Sequence, residues 1–169
     1  MTVKTDAEFG YEICSDKIRS IAEALIDKYD ELHHINPDKI LFVVNHKGVG
    51  SRKKVVLAKT TKIPPKWTEL LYQLGSCSYF YMIECYAKTT AAMDESQMVA
   101  LVYRELRRIG PEGEIYSPDV IDWWQMLMGL GRKWYYPDSS CPNLLDEGVD
   151  WKSLMGTYFE EPRDHEALE

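Results

Sequence analysis

Residues 94–109, with the sequence DESQMVALVYRELRRI, constrain the fold more than any other segment of the chain. Asp94 is a typical helix N-cap, and Gln97 stands three residues later, where a capping-box partner reaches back. Gly110 and Pro111 then end the helix. The pattern therefore predicts one amphipathic helix whose buried stripe consists of four residues at helical spacing: Val99, Val102, Leu106 and Ile109.

A charged row runs beside this stripe and consists of Arg104, Glu105 and Arg108. Its spacing is that of the zinc-protease helix motif H-E-x-x-H, in which two histidines hold the metal and the glutamate is the general base. Here the motif reads R-E-L-R-R, and a guanidinium group has no lone pair to give to a metal. The residues alone favour a solvated charged face, and only a family relationship to such proteases would favour the alternative, a former metal pocket in which the arginines hold Glu105.

From about residue 39 to residue 134 the chain resembles the putative phage metallopeptidase family, a zincin-like group found in phages and bacterial mobile elements. The matching segments are ILFVVN, VVLAK, PPKW, YFYMIE, QMVALVYRELRRIGPEG and PDVIDWW. The resemblance implies a third histidine in a His-Asp-Val context, which reads Pro118-Asp119-Val120 here. It thus implies that Arg104, Arg108 and Pro118 are former metal-ligand positions and that Glu105 is a vestigial general base.

The expected fold class is α+β: a zincin-like single domain with a small mixed sheet of about three strands. Residues 40–44, 55–59 and 79–86 are the predicted strands, the second near an edge and the third central. The sheet should pack with an N-terminal helix, the motif helix and a following helix. The N-terminal helix should begin at Ser15 and end at Asn36-Pro37. Shorter helices are predicted for residues 67–75 and 150–155.

The helix after the motif is expected to open with Ser117 as its cap and Pro118 at its first position. Its predicted core face contains Val120, Trp124, Leu127 and Leu130, broadened by Trp123 and Met126. Asp119 would then line the site. Glu84, the charged residue of the third strand, would either pair with Arg104 or Arg108 or face solvent.

The domain should span residues 1–169, with its core at about 15–136 and with residues 1–14 and 157–169 mobile. Loop 46–54, HKGVGSRKK, is expected to be a flexible connection or a contact for an anion or a partner. His33 and His34 fall near the end of the first helix. They should either favour its negative end or fill a packing niche, with a metal site as the alternative.

Composition narrows the possible functions. The net charge of −7 argues against binding of nucleic acid through a basic surface. Apolar runs are too short to cross a membrane, and the N-terminus lacks the apolar core of a signal peptide. The four cysteines form no C-x-x-C pair and indicate free thiols in the cytoplasm of a bacterial host.

Three hypotheses follow. The first is a degenerate metallopeptidase-like protein without zinc or another cofactor, which binds a protein or peptide partner. The second is an active zinc-dependent metallopeptidase that hydrolyses peptide bonds with Glu105 as general base. The third is an acidic mobile-element protein that binds a host factor through another surface.

Overall fold

A computed structural model describes residues 10–13, 16–47, 55–118 and 122–156. The elements in chain order are β1 (Tyr11–Ile13), α1 (Lys17–Lys28), β2 (Ile40–Asn45), β3 (Ala58–Lys62), α2 (Pro65–Gly75), β4 (Tyr81–Tyr86), α3 (Ala87–Thr90), α4 (Glu95–Leu106), α5 (Trp124–Gly129) and α6 (Trp151–Met155). Two short 3-10 turns, Asp30–Leu32 and Pro37–Lys39, connect α1 to β2. The molecule is therefore α+β, as expected.

The sheet has four strands in the order β1-β2-β4-β3. Strand β2 is parallel to β4, whereas β1 and β3 are antiparallel to their neighbours, which confirms the mixed sheet. Strand β1 lies within residues 1–14, which were expected to be mobile, so that prediction was wrong for residues 11–13. All three of its residues are exposed. The strand therefore depends on backbone pairing with β2, and its sequence has no apolar pattern that predicts a strand.

Strand β3 lies at the edge of the sheet, as expected, but it begins three residues later than predicted. Pairing with β4 sets its limits: the ladder starts where Tyr86 N donates to Leu57 O at 3.0 Å and ends where Ile63 N donates to Phe80 O at 2.7 Å. Hydrogen bonding thus selects AKTTK as the strand, in place of the more apolar VVLAK.

Helix α4 packs against β3 and α1. The side chains of Ala58 and Thr60 are buried on the sheet face toward α4, because successive residues of a strand alternate between faces. Helix α1 ends earlier than predicted, since Tyr29 leaves the helical conformation with φ −110° and ψ 112°. The 3-10 turn that follows still returns Leu32 to the core, where it is fully buried.

The helix after the motif differs from its prediction. Helix α5 begins at Trp124, and Pro118 lies in non-helical chain. The side chains buried in this region also differ from the predicted core face: Trp123 and Met126 are 5% and 0% exposed, whereas Trp124 is 58% exposed. The packing of Trp123 under Arg107, 4.8 Å from its ring centroid, fixes this rotation. Val120 lies outside the described residues.

The core extends past residue 136, where it was expected to end. Leu144, Trp151 and Met155 are all buried. Helices α5 and α6 pack closely at Gly129, where an added Cβ would lie 3.1 Å from Leu154 Cβ. That approach explains the glycine.

Helix α2 confirms the short helix predicted for residues 67–75, and it buries none of its residues.

Cys77, Cys85 and Cys141 form no disulfide, as expected, and Cys14 lies outside the described residues. None of the helices within the described ranges has the length and apolar character that a membrane crossing requires. Residues 48–54, most of the glycine-rich loop, and the tail 157–169 also fall outside the described ranges.

Candidate functional site

Helix α4 positions the charged row. Asp94 accepts a hydrogen bond from Gln97 N at 2.8 Å and the Gln97 side chain accepts one from Asp94 N at 3.0 Å, so the predicted capping box is confirmed. The stripe of Val99, Val102, Leu106 and Ile109 is buried. The helix ends at Leu106 rather than Ile109, because Arg108 N and Ile109 N bond to carbonyls three residues back, Glu105 O at 3.2 Å and Leu106 O at 2.9 Å.

Glu105 lies at the centre of the site and its side chain is 0% exposed. Thr60 Oγ1 of β3 donates a hydrogen bond to Oε2 at 2.7 Å, and Arg104 Nη1 donates to Oε1 at 3.3 Å. Arg108 Nε stands 4.0 Å from Oε2, close enough for an ion pair but not for a hydrogen bond. The row is therefore not a solvated face: its glutamate is buried and its arginines surround it.

Asp122 is the site residue that the sequence did not reveal. It is 4% exposed, and its Oδ1 accepts hydrogen bonds from Arg104 Nε at 3.0 Å and from Trp123 N at 2.9 Å. Trp134 Nε1 donates to Oδ2 at 3.0 Å. The available signal was one charged residue in the apolar stretch VIDWWQMLMGL, since a charge among apolar residues needs partners.

Arg104 therefore joins two buried carboxylates. Its side chain is 18% exposed and contacts Glu105 on its own helix and Asp122 before α5. Trp123 Nε1 also donates to the backbone oxygen of Arg104 at 2.9 Å. These contacts attach the α5 region to the motif helix.

The turn after α4 brings the chain back beside the motif, as the ligand assignment requires. Ile109 and Ile115 form a β-bridge, and Tyr116 N pairs with Arg108 O. Pro118 follows two residues after Tyr116, whose N–H bonds to Arg108 O, and stands four residues before Asp122 in the sequence. Asp119, the predicted lining residue, lies outside the described residues.

Glu84 is the predicted lining residue that faces elsewhere. Its neighbour Ile83 pairs with Thr60, which faces α4, so Glu84 is on the opposite face of the sheet. Its carboxylate accepts hydrogen bonds from Asn45 Nδ2 at 2.7 Å and from Tyr86 OH at 3.2 Å. Burial, with the Glu84 charge and hydrogen bond second, raises the pKa of Tyr86.

His34 supports the end of the motif segment. Its Nε2 lies 2.8 Å from Ile109 O, and His33 Nε2 lies 3.3 Å from Asp27 O. These contacts agree with the expected packing and helix-end roles of the two histidines.

A cleft of about 400 Å³ opens beside the motif. Its wall includes Arg104, Arg108, Asp122, Trp134 and Tyr135, and its other side is residues 55–59, which lead into the edge strand β3. The arginine side chains are 18% and 23% exposed, whereas those of Glu105 and Asp122 are 0% and 6% exposed. The groups that reach the cleft are thus predominantly basic.

The charged row does not fit a catalytic zinc. Such a site needs three protein ligands with free electron pairs and an open position for water. Arg104 and Arg108 supply no donor pair and carry positive charge, which repels a divalent cation. Across the described ranges, no three His, Cys, Asp or Glu side chains are grouped as a metal site.

Comparison with known proteins identifies one family. The model described as "Putative phage metallopeptidase" matches residues 10–157, which is most of the 169-residue chain. No match was found among curated proteins. None was found among solved structures. The matched range covers every element from β1 to α6, and the chain therefore belongs to the phage metallopeptidase family.

Proposed function

We propose that this family member has lost zinc-dependent hydrolysis and binds an extended segment of a protein partner in the cleft beside β3. The observation that carries the proposal is the burial of Glu105. A general base must reach the water that it deprotonates. Both oxygens of Glu105 instead lie beside protein donors, and the side chain has no exposed surface.

The edge of β3 supplies the binding mode. Leu57 O and Ile63 N bond to β4, so residues that alternate with them turn their backbone groups outward: Ala58, Thr60 and Lys62. Strand β3 is last in the sheet order, so this edge has no strand partner within the described ranges. An extended peptide can add to such an edge through main-chain hydrogen bonds.

A selection from a displayed random nonapeptide library tests this binding mode. The bait is the full chain, and the comparison variant is Lys62→Pro, which removes one outward N–H at an exposed position. Lys62→Gln is the matched control, because it removes the same charge and keeps the N–H. We expect the selected peptides to bind the wild type and Lys62→Gln, and to lose about tenfold in affinity for Lys62→Pro. Equal binding to Lys62→Pro would contradict edge pairing.

Metal analysis tests the loss of hydrolysis. Protein purified without a chelator and without a histidine tag should contain no stoichiometric zinc, because arginine offers no electron pair. An active metallopeptidase with Glu105 as general base is the alternative. Stoichiometric zinc, together with peptide hydrolysis that Glu105→Ala abolishes while the zinc is retained, would establish that alternative and overturn the proposal.

The proposed compartment is the cytoplasm of a bacterial host. Cys77, Cys85 and Cys141 form no disulfide, which is usual for a reducing environment. The net charge of −7 supports a protein or peptide partner over nucleic acid.

A second candidate function is binding of a host factor through α2. Its apolar side chains stay exposed, with Trp67 at 57%, Tyr72 at 55% and Leu74 at 86%. Tyr72 also lines a cleft of about 490 Å³ between α2 and the start of β4. Large apolar side chains exposed on one helix are typical of interaction sites. This surface is separate from the motif, so Leu74→Glu should leave peptide selection in the β3 cleft unchanged.

A further inference from the structure

Arg108 differs from Arg104 in having a hydrogen-bond donor that no described residue accepts. Arg104 Nε bonds to Asp122, and its Nη1 bonds to Glu105. Arg108 Nε is buried and donates to no atom of the residues that the structure describes. Its recorded ion pair is the 4.0 Å approach to Glu105. A guanidinium group carries five N–H donors, so Arg108 has several to offer.

The nearby carboxylates already accept hydrogen bonds from other donors. Glu105 Oε2 accepts from Thr60 at 2.7 Å, and Glu105 Oε1 accepts from Arg104. Both oxygens of Asp122 accept from the backbone of Trp123, from Arg104 or from Trp134. Arg108 Nε lies 4.0 Å from Glu105 Oε2, too far for a hydrogen bond, and has no other acceptor among the described residues.

Arg108 faces the space that a bound segment would enter. Its side chain is 23% exposed and lines the same cleft as residues 55–59. Its positive charge therefore favours an anionic group in the cleft, in a protein whose net charge is −7.

We propose that the segment bound along β3 carries an acidic side chain, Asp or Glu, whose carboxylate pairs with Arg108. This inference rests on the proposed binding function. A guanidinium group binds a carboxylate through two parallel N–H···O bonds, which suits a planar group with free donors. Side chains of a strand added to β3 alternate between faces, so the acid belongs on the face toward α4.

A side chain is the favoured source of the carboxylate because the edge of β3 continues beyond the cleft. Residues 55–59 line the cleft, and β3 extends from there to Lys62. A segment that pairs with the whole edge therefore has its end beside Lys62 away from the guanidinium group.

The same nonapeptide library provides the test. We expect the pool selected on the wild-type chain to be enriched in Asp or Glu at one position, and the pool selected on Arg108→Gln to lose that enrichment. Lys152→Gln, on α6, removes an equal charge away from the cleft and should keep the enrichment. Circular dichroism and thermal melting establish that each variant is folded.

Synthetic peptides then separate the sources of the carboxylate. A consensus peptide, acetylated and amidated, should lose about tenfold or more in affinity when its acid is changed to the amide. The same loss should be absent with Arg108→Gln. If the amide peptide regains affinity through a free C-terminal carboxylate, the carboxylate belongs to a chain end and the side-chain proposal is overturned.

The outcomes also separate this inference from the binding function on which it rests. Peptides that bind wild type, are weakened by Lys62→Pro and show no acid preference would overturn the role of Arg108 alone. Peptides that are insensitive to Lys62→Pro, or a selection that yields no binder, would overturn both.

Discussion

Arg104 and Arg108 are one helical turn apart, yet they should contribute very differently to stability. Arg104 bonds to two nearly buried carboxylates, those of Glu105 and Asp122. Arg104→Met leaves Asp122 without its cation and Glu105 with only the 4.0 Å approach of Arg108, and breaking a buried pair in this way costs about 3–5 kcal/mol. Arg108→Met removes a 4.0 Å ion pair that is partly open to water, and should cost less than about 1 kcal/mol.

Urea denaturation of the two methionine variants measures this difference. They are matched controls for each other, because each removes one arginine from the motif and replaces it with an apolar side chain of similar length. Equal losses of unfolding free energy would mean that Arg104 does not hold the two acids. A larger loss for Arg108→Met would contradict its assignment as the side chain with free donors.

The former ligand positions can be tested by restoring histidines. Arg104→His with Arg108→His should create a weak zinc site, and adding Pro118→His should tighten it, because the turn after α4 returns the chain beside Arg108. Asp122 Oδ1 lies 3.0 Å from Arg104 Nε, so it is an available oxygen ligand for the double variant. Competition with a chromogenic chelator measures the affinities.

Further variants distinguish the ligands. Asp122→Asn in the double variant should weaken zinc binding if Asp122 ligates the ion. If the third histidine gives no gain, Pro118 is not a ligand position. If neither histidine variant binds zinc, the two arginine positions do not form a metal pocket.

At the scale of elements, the cap of the motif helix should be worth a measurable part of the stability. Asp94→Ala removes the acceptor of Gln97 N and should cost about 1 kcal/mol. Asp94→Asn keeps an acceptor oxygen and should cost only a few tenths of that. Thermal melting of the two variants at neutral pH checks the order, and equal melting temperatures would contradict it.

This helix was predictable because its signals are local. The capping box and the apolar stripe lie within residues 94–109, and the structure keeps both. Strand β1 was not predictable, since its residues are exposed and it forms by pairing with β2, which is distant in sequence. The face of α5 was mistaken for the same reason: contact of Trp123 with Arg107 decides it, and spacing within the helix does not.

The candidate site likewise has a part that the sequence predicted and a part that it did not. The spacing in R-E-L-R-R is enough to group Arg104, Glu105 and Arg108, because residues three and four apart share a helix face. The burial of Glu105 depends on Thr60 of β3, and the role of Asp122 depends on Trp134, which are contacts across the fold. The face that Glu84 occupies depends on strand register, which the sequence does not reveal.

At the scale of the whole molecule, Tyr29 connects the first helix to the C-terminal segment. Its OH donates to Leu144 O at 2.9 Å, and its ring packs edge-on against Tyr103 with centroids 5.2 Å apart. Trp151 Nε1 donates to Tyr103 OH at 2.9 Å, which joins α6 to the same cluster. The end of α1 and the C-terminal segment thus meet on the motif helix, α4.

This cluster should make the fold sensitive to alkali. Burial, reinforced by the charges of Glu31 and Asp150, raises the pKa of Tyr29 to about 12. The ordinary pKa of tyrosine is about 10, so the unfolded chain loses this proton first as the pH rises. The raised pKa of Tyr29 therefore contributes fully to the stability of the folded state below about pH 10, and this contribution is lost as the pH rises toward about 12.

Tyr29→Phe isolates that contribution. At neutral pH the variant should lose about 0.5–1.5 kcal/mol with the hydrogen bond to Leu144. Between about pH 10 and 12 its unfolding free energy should fall less steeply than that of the wild type, because one proton is no longer released on unfolding. Tyr72→Phe on the exposed face of α2 is the control, since Tyr72 is 55% exposed. Urea denaturation across this range gives the slopes, and parallel curves for wild type and Tyr29→Phe would contradict the role of Tyr29 in closing the fold.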